Sequence, residues 1–263
     1  MIANFFQSLN VSGTQYLLIG GQATVLYGAA TFSEDIDLWI NPTEEDRERF
    51  MAALRNCSSR YYKLTPSFSV KNLQDGHGFH FLLPGGREDD VFLDVMGRPP
   101  RSGAFAGSLA TARWMETEWG AIRIIGIKPL VELKKTQRLE DYPIISKLAL
   151  AWFDQPDATK STDDLLWALE NIFTLPELTI LFAEQPAAVL AAVEQCNQEV
   201  GEFAREVSGR GEARPSTERR VNDLLQRRIA ELQMADREYW RDIIRTLKEL
   251  HAAGKLMTEG GKV

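Results

Sequence analysis

The sequence predicts an α/β (α+β) chain: a small mixed sheet flanked by helices, followed by an all-α C-terminal region. Two observations predict it. Apolar runs of strand length (Tyr16 to Ile19, Leu38 to Ile40, Phe79 to Leu83, Val91 to Met96, Ala121 to Gly126) all fall before Lys128, with helical or turn segments between them. Beyond Lys128-Pro129 the apolar spacing is helical, broken only by polar stretches. The expected organisation is therefore a sheet domain over residues 1–128 and a helical domain over 129–263.

The elements follow in order. Ile2, Phe5, Phe6 and Leu9 carry the spacing of a short helix with one buried face. Tyr16 to Ile19 is a strand that ends at Gly20-Gly21, and Gln22 to Tyr27 is a short helix that stops at Gly28. Asp35-Ile36-Asp37 heads the next strand, which Asn41-Pro42 ends. Thr43 caps a helix running to about Leu54, with Glu44, Glu45 and Asp46 in its first turn. Arg60 to Val70 is ambiguous between irregular chain and a short strand. Phe79–Leu83 and Val91–Met96 form a hairpin around the polar turn Arg87 to Asp90, and Pro99 to Ala112 is a loop.

Pro129 to Trp152 reads as one helix, kinked or restarted at Pro143. On it Lys134, Arg138 and Asp141 stand at i, i+4 and i+7 and share a face. A polar linker spans Asp154 to Asp163. Helices follow over 163–173, 176–184 and 186–207, then the break Ser208 to Pro215, then a long helix to about His251 whose charges alternate in sign. That alternation fits a solvated helix or one packed on a partner, and Arg219, Arg220, Arg227 and Arg228 are the residues that could touch RNA or protein.

Composition bounds the function. The chain has 263 residues, 44% of them hydrophobic and 25% charged, ordinary for a soluble globular protein. A net charge of −7 argues against a broadly basic nucleic-acid surface. Cys57 and Cys196 lack metal-type spacing and read as reduced thiols in a cytoplasmic protein. The N-terminal residues have no basic start and no long apolar core, and no apolar run approaches the ~20 residues that span a bilayer, so no membrane partner is expected. There is no G-x-x-x-x-G-K-[ST], no G-x-G-x-x-G after a strand, and no cysteine or histidine set at zinc spacing around His77, His80 or His251.

One constellation carries chemistry. Gly20-Gly21 offers a backbone that an anion can approach, and the following helix points its first N–H groups toward it. Asp35 and Asp37, at i and i+2 of a strand, project to one side. Asp94 is the single charge inside Val91–Met96, where an unpaired carboxylate is costly. It either faces Asp35 and Asp37 and shares their cation, or sits at an edge facing water. Carboxylates beside a phosphate cradle suit a hard divalent cation, Mg²⁺ or Mn²⁺, carrying a phosphorylated ligand.

The stretch GG-Q-A-x-x-x-x-G followed by D-I-D-L resembles the nucleotidyltransferase superfamily of DNA polymerase beta, and within it the minimal enzymes of bacterial toxin–antitoxin and abortive-infection systems. The resemblance implies that Asp35, Asp37 and Asp94 are metal-binding and catalytic, with Asp94 the candidate base. It implies that Gly20 and Gly21 bind the phosphates of an NTP substrate. A similar L-K-x-x-x-R-x-x-D helix follows the sheet in those proteins, which implies nucleotide-binding roles for Lys134, Arg138 and Asp141. The implied activity is transfer of an NMP from an NTP to a hydroxyl of RNA (a tRNA end among the candidates), a protein or a small molecule, with a companion toxin or antitoxin as partner. Gly21 stands where many members have serine, and Thr31 where many have arginine. Those departures favour the alternative, a degenerate antitoxin or regulator that keeps the fold and acts by protein binding. A third possibility is a helical adaptor whose C-terminal half does the work.

Overall fold

The computed structural model describes residues 2–85, 90–155, 161–183, 190, 193–194 and 197–263. In chain order the elements are α1 (Ile2–Ser12), β1 (Tyr16–Ile19), α2 (Gly20–Leu26), β2 (Ile36–Ile40), α3 (Glu44–Asn56), β3 (Arg60–Tyr61), α4 (Val70–Gln74), β4 (Gly78–Leu83), β5 (Val91–Met96), α5 (Phe105–Ala110), β6 (Arg113–Thr117), β7 (Gly120–Ile124), α6 (Ile127–Lys134), α7 (Asp141–Phe153), α8 (Thr162–Glu170), α9 (Leu175–Phe182), α10 (Gln198–Arg210) and α11 (Pro215–Ala252). The mixed α/β architecture is the expected one.

The chain divides into two compact units. One comprises Met1–Leu133 together with Glu238–Val263, and the other Lys134–Arg237. The sequence division at 128/129 falls just ahead of this one and assigned the last turns of α11 and the tail to the helical domain, whereas they join the sheet.

In the first unit a seven-stranded sheet runs in the order β3-β4-β5-β2-β1-β7-β6. β2 is antiparallel to β1 and parallel to β5, and β4 is antiparallel to β5, as expected for the hairpin. Leu18, Leu38, Val95 and Phe79 are register neighbours across four strands, and all are fully buried on one face. Helices α1 and α3 pack together nearby, where Phe5 meets Phe50 edge-on at 5.8 Å and Phe50 stacks on Phe68 at 5.7 Å. Thr43 caps α3 as predicted, accepting from the Asp46 amide. The buried Asp46 carboxylate in turn accepts from the Gln15 amide (2.8 Å) and Asn41 Nδ2 (2.9 Å), fixing the entry to β1 against the end of β2.

Three expectations are corrected here. The loop over 99–112 contains α5, and β6 forms a hairpin with β7 that no apolar run announces. The helix expected over 129–152 is two: α6 ends at Lys134, and α7 restarts at Asp141. Pro143 lies in the first turn of α7, where its missing N–H costs nothing, so the restart comes two residues ahead of the proline that signals it.

At the far end of the sheet the chain terminus adds itself to β3. The Tyr61 amide donates to the Gly261 carbonyl (2.9 Å), Gly260 to Tyr61 (2.9 Å) and Val263 to Ser59 (3.1 Å), while Met257 donates to Thr65 (2.8 Å). A two-residue edge strand with unpaired backbone groups gains its partner there.

The second unit is helical. Leu165, Ala168, Leu178, Phe182, Phe203 and Val207 lie in its core with the early-turn residues Val221 and Leu225 of α11. Asn197 caps α10, accepting from the Val200 amide, and Gly211 ends it in the left-handed conformation. The helix expected over 186–207, the linker around Pro156, the turn residues Arg87 to Asp89 and Cys196 lie wholly or partly outside the described residues; Cys57 is buried and free.

Candidate functional site

The candidate site is a row of side chains across four neighbouring strands. Ile19 of β1 is in register with Asp37 of β2, Asp37 with Asp94 of β5, and Asp94 with His80 of β4. Register partners point to the same side of a sheet, and adjacent strands lie roughly 4.8 Å apart. Asp37 and Asp94 therefore stand side by side on the face opposite the Leu18–Leu38–Val95–Phe79 row. The sequence reason is the alternation within β2 and β5: Ile36 and Leu38 flank Asp37, and Leu93 and Val95 flank Asp94, with all four neighbours buried.

The glycine bend abuts this row. Gly20 has φ +63°, and a Cβ there would lie 1.9 Å from Asp37 Oδ2. The Gly21 amide donates to the same oxygen at 3.3 Å, and a Cβ on Gly21 would lie 2.1 Å from Ser33 Oγ. In this structure the space left by both missing side chains is used by the chain itself, by Asp37 and Ser33. Gln22 Nε2 also donates to the Ser33 carbonyl (2.7 Å), which ties the loop leading to Asp35 against α2.

Asp94 is not alone. Its Oδ1 lies 2.7 Å from His80 Nδ1, and both side chains are about three-tenths exposed (30% and 27%). No cysteine or histidine at useful spacing marks His80 in the sequence; its partner is a carboxylate one strand away. His77, three residues earlier, is buried, and burial pushes its pKa below the ordinary 6.5.

Asp35 sits one residue ahead of β2, half-buried. The three carboxylates do not form a ready-made cluster: among the described residues no group of three His, Cys, Asp or Glu is spaced to hold a metal ion. Two register-paired carboxylates nonetheless fit Mg²⁺, which takes one or two carboxylates, keeps several waters and draws further oxygens from substrate phosphates.

Lys134, Arg138 and Asp141 do meet, though not on one helical face. They belong to the second unit, with residues 135–140 between α6 and α7. Lys134 Nζ lies 2.9 Å from Asp141 Oδ1, and Arg138 Nε 3.2 Å from Asp141 Oδ2. Thr136 Oγ1 donates to Asp141 Oδ2 at 2.5 Å, and the Tyr142 hydroxyl donates to the Thr136 carbonyl. Lys134 and Asp141 are both buried, at 7% and 2% exposure. This network closes the break between the two helices.

A cavity of about 260 Å³ opens over the acidic row, lined by Ile19, Asp37, His80 and Asp94 on the sheet side. Trp240, Ile243, Ile244 and Leu247, from the last turns of α11, line its other wall. The signal for this wall was present in the sequence: i, i+3, i+4 and i+7 is the apolar stripe of a helix, here inside a segment dominated by charge.

No family model matches the chain, and no curated protein matches it. Among solved structures it is similar to one described as an antigenic nucleotidyltransferase-like protein from Paracoccidioides brasiliensis, with 16% identity and a TM-score of 0.34 over 78% of this chain and 90% of that one. A likeness at that score carries no weight, and the functional reading rests on the residues of this chain. Among the described residues no helix is long and apolar enough to cross a membrane.

Proposed function

We propose that the protein is a metal-dependent nucleotidyltransferase whose acid pair is Asp37 and Asp94, with Asp35, one residue ahead of β2, as a third carboxylate. The observation that carries this reading is the register match of two half-buried carboxylates on parallel neighbouring strands, beside a glycine bend. Two adjacent negative charges repel, and a divalent cation between them offsets that repulsion.

Bound there, Mg²⁺ would supply Lewis acidity at the α-phosphoryl group and charge neutralisation on the leaving pyrophosphate. The chain's own residues do the rest. Asp37 would turn from the Gly21 amide toward the cation, which frees that N–H for a phosphate oxygen at the bend. Asp94, on the far side of Asp37 from the bend, would take the acceptor proton. The acceptor oxygen then bonds to the α-phosphorus, and the bond to pyrophosphate breaks with its electron pair leaving on the pyrophosphate oxygen. His80 holds Asp94 through Nδ1 and limits its rotation. Lys134 and Arg138 are engaged by Asp141 within the helical unit and are given no part in the transfer.

A second reading has its own support. Asp94 is held by His80, and Asp37 by the Gly21 amide, so the chain satisfies both acids by itself. That favours a degenerate descendant acting by protein binding, as in an antitoxin or regulator of a phage-defence pair in the cytoplasm. Incubation of the full chain with each labelled NTP and Mg²⁺, with and without total RNA, separates the two. Transfer that disappears in Asp37→Ala supports the enzyme. Equal turnover by wild type and Asp37→Ala rejects the acid pair, and metal-dependent NTP binding without turnover selects the binding-only descendant.

A further inference from the structure

The row of side chains has two ends. At β1 lies the glycine bend, where the proposed nucleotidyl transfer puts the phosphates; at β4 lies His80, two strands beyond Asp37. The cavity spans the row from Ile19, next to the bend, to His80, so it reaches the end of the row away from the bend as well.

We propose that this cavity is the acceptor pocket, and that it takes a compact, phosphate-free molecule that presents a hydroxyl and an apolar or aromatic face. The proposal deepens the transfer reading and rests on it. Its lining is the argument. The polar side chains are Asp37, His77, His80 and Asp94, and no lysine or arginine is among the lining residues. A nucleic-acid strand gains most of its affinity from cations set against its phosphates. Here a phosphate would meet two carboxylates and an apolar wall, and its charge would go uncompensated. Trp240 supplies an aromatic face on that wall, beside Ile243, Ile244 and Leu247. With Nδ1 committed to Asp94, the His80 ring leaves Nε2 to hold a ligand hydroxyl beside the acidic row.

The wall is anchored. Tyr239 donates its hydroxyl to the Arg98 carbonyl at 3.3 Å, just before Trp240, and the tail after α11 is bonded to the β3 edge. A volume of about 260 Å³ between the sheet and the α11 wall suits a small molecule with two fused rings.

The test uses the full chain and 2-naphthylmethanol, a neutral aromatic alcohol, with binding read by calorimetry in the presence and absence of Mg·ATP. Ile244→Lys places an ammonium in the wall at a position that is 46% exposed, so the fold tolerates it. The expected result is saturable binding to wild type, weakened about tenfold or more in Ile244→Lys because the charge meets an apolar ligand, with Mg·ATP binding unchanged. Ile244→Trp, which fills the space without charge, should weaken the probe similarly and serves if the lysine variant melts early. Equal probe binding by wild type and both variants overturns the pocket, as does displacement of the probe by a twenty-nucleotide RNA. Mg·ATP binding without probe binding overturns the pocket and spares the transfer reading. Probe binding without any Mg·ATP binding overturns the transfer reading, and with it the cavity's role as an acceptor site.

Discussion

Lys134 is where the structure and the resemblance ask for different work from one side chain. The resemblance gives it to nucleotide phosphates; the structure buries it against Asp141 at 2.9 Å, with side-chain exposures of 9% and 3%. Lys134→Ala removes the cation and leaves the carboxylate in place. Breaking a buried ion pair from one side costs about 3–5 kcal/mol, because the remaining charge is uncompensated. Thr136 and Arg138 still hold Asp141 Oδ2, so the lower end, about 3 kcal/mol, is expected. Urea denaturation followed by tryptophan fluorescence measures it, since Trp152 and Trp167 pack edge-on at 4.8 Å within the helical unit and report on that unit. Lys134→Met combined with Asp141→Leu replaces the pair with apolar groups and should recover at least half of the loss, since buried ion pairs exchange for well-packed hydrophobic residues at little net cost. The reasoning is refuted if Lys134→Ala unfolds at the wild-type urea midpoint while Mg·ATP binding falls: the lysine would then serve the ligand rather than the fold.

The remaining predictions concern the sheet unit. Gly20→Ala forces a Cβ to within 1.9 Å of Asp37 Oδ2 at φ +63° and should cost about 2–4 kcal/mol, from left-handed strain plus the displaced carboxylate. Gly28→Ala, at φ +75° with open space around it, should cost only about 1 kcal/mol; equal losses in the two variants would deny the contact with Asp37. His77 has a folded pKa below its ordinary 6.5 because it is buried, so between those values the unfolded chain binds more protons than the folded one. Its contribution to stability is thus present above about pH 6.5 and lost as pH falls toward the folded pKa, and His77→Gln should flatten that slope in urea midpoints taken across the range. Identical slopes for wild type and variant would show that His77 does not titrate differently on folding.

Much of the sheet was legible because each central strand carries its own boundaries. Tyr16–Ile19 stops at glycine, Ile36–Ile40 stops before Asn41-Pro42, and both are apolar enough to demand burial. The exceptional place of Asp94 was legible in a similar way: a lone charge in an apolar strand needs a compensating neighbour, and His80 supplies it one strand away, while Asp37 stands in register on the other side. β6 was not, because Arg113–Thr117 is an edge strand with residues largely open to solvent, so no apolar run marks it. The break after Lys134 was not, since no glycine or proline lies between Lys134 and Asp141. The i, i+4, i+7 spacing brought the right residues together for the wrong reason: they meet by closing around a buried carboxylate in an irregular segment, not by sharing a helical face.

What stayed hidden at the site is a consequence of range. α11 buries Val221 and Leu225 in the helical unit, and its later apolar residues, Trp240, Ile243 and Leu247, line a cavity in the sheet unit. A stripe of helical spacing says that a face is covered, but carries no record of which body covers it. The charges between those residues left the helix open to two readings, solvated or packed on a partner. Only the tail settles the matter, because residues 257–263 satisfy the backbone of Ser59, Tyr61 and Thr65, an edge that local pattern cannot connect to a terminus two hundred residues away. Shortening that tail should therefore disturb the cavity wall before it disturbs the acid pair, since Asp37 and Asp94 are held by β2 and β5 while Trp240 depends on the turns that the tail pins down.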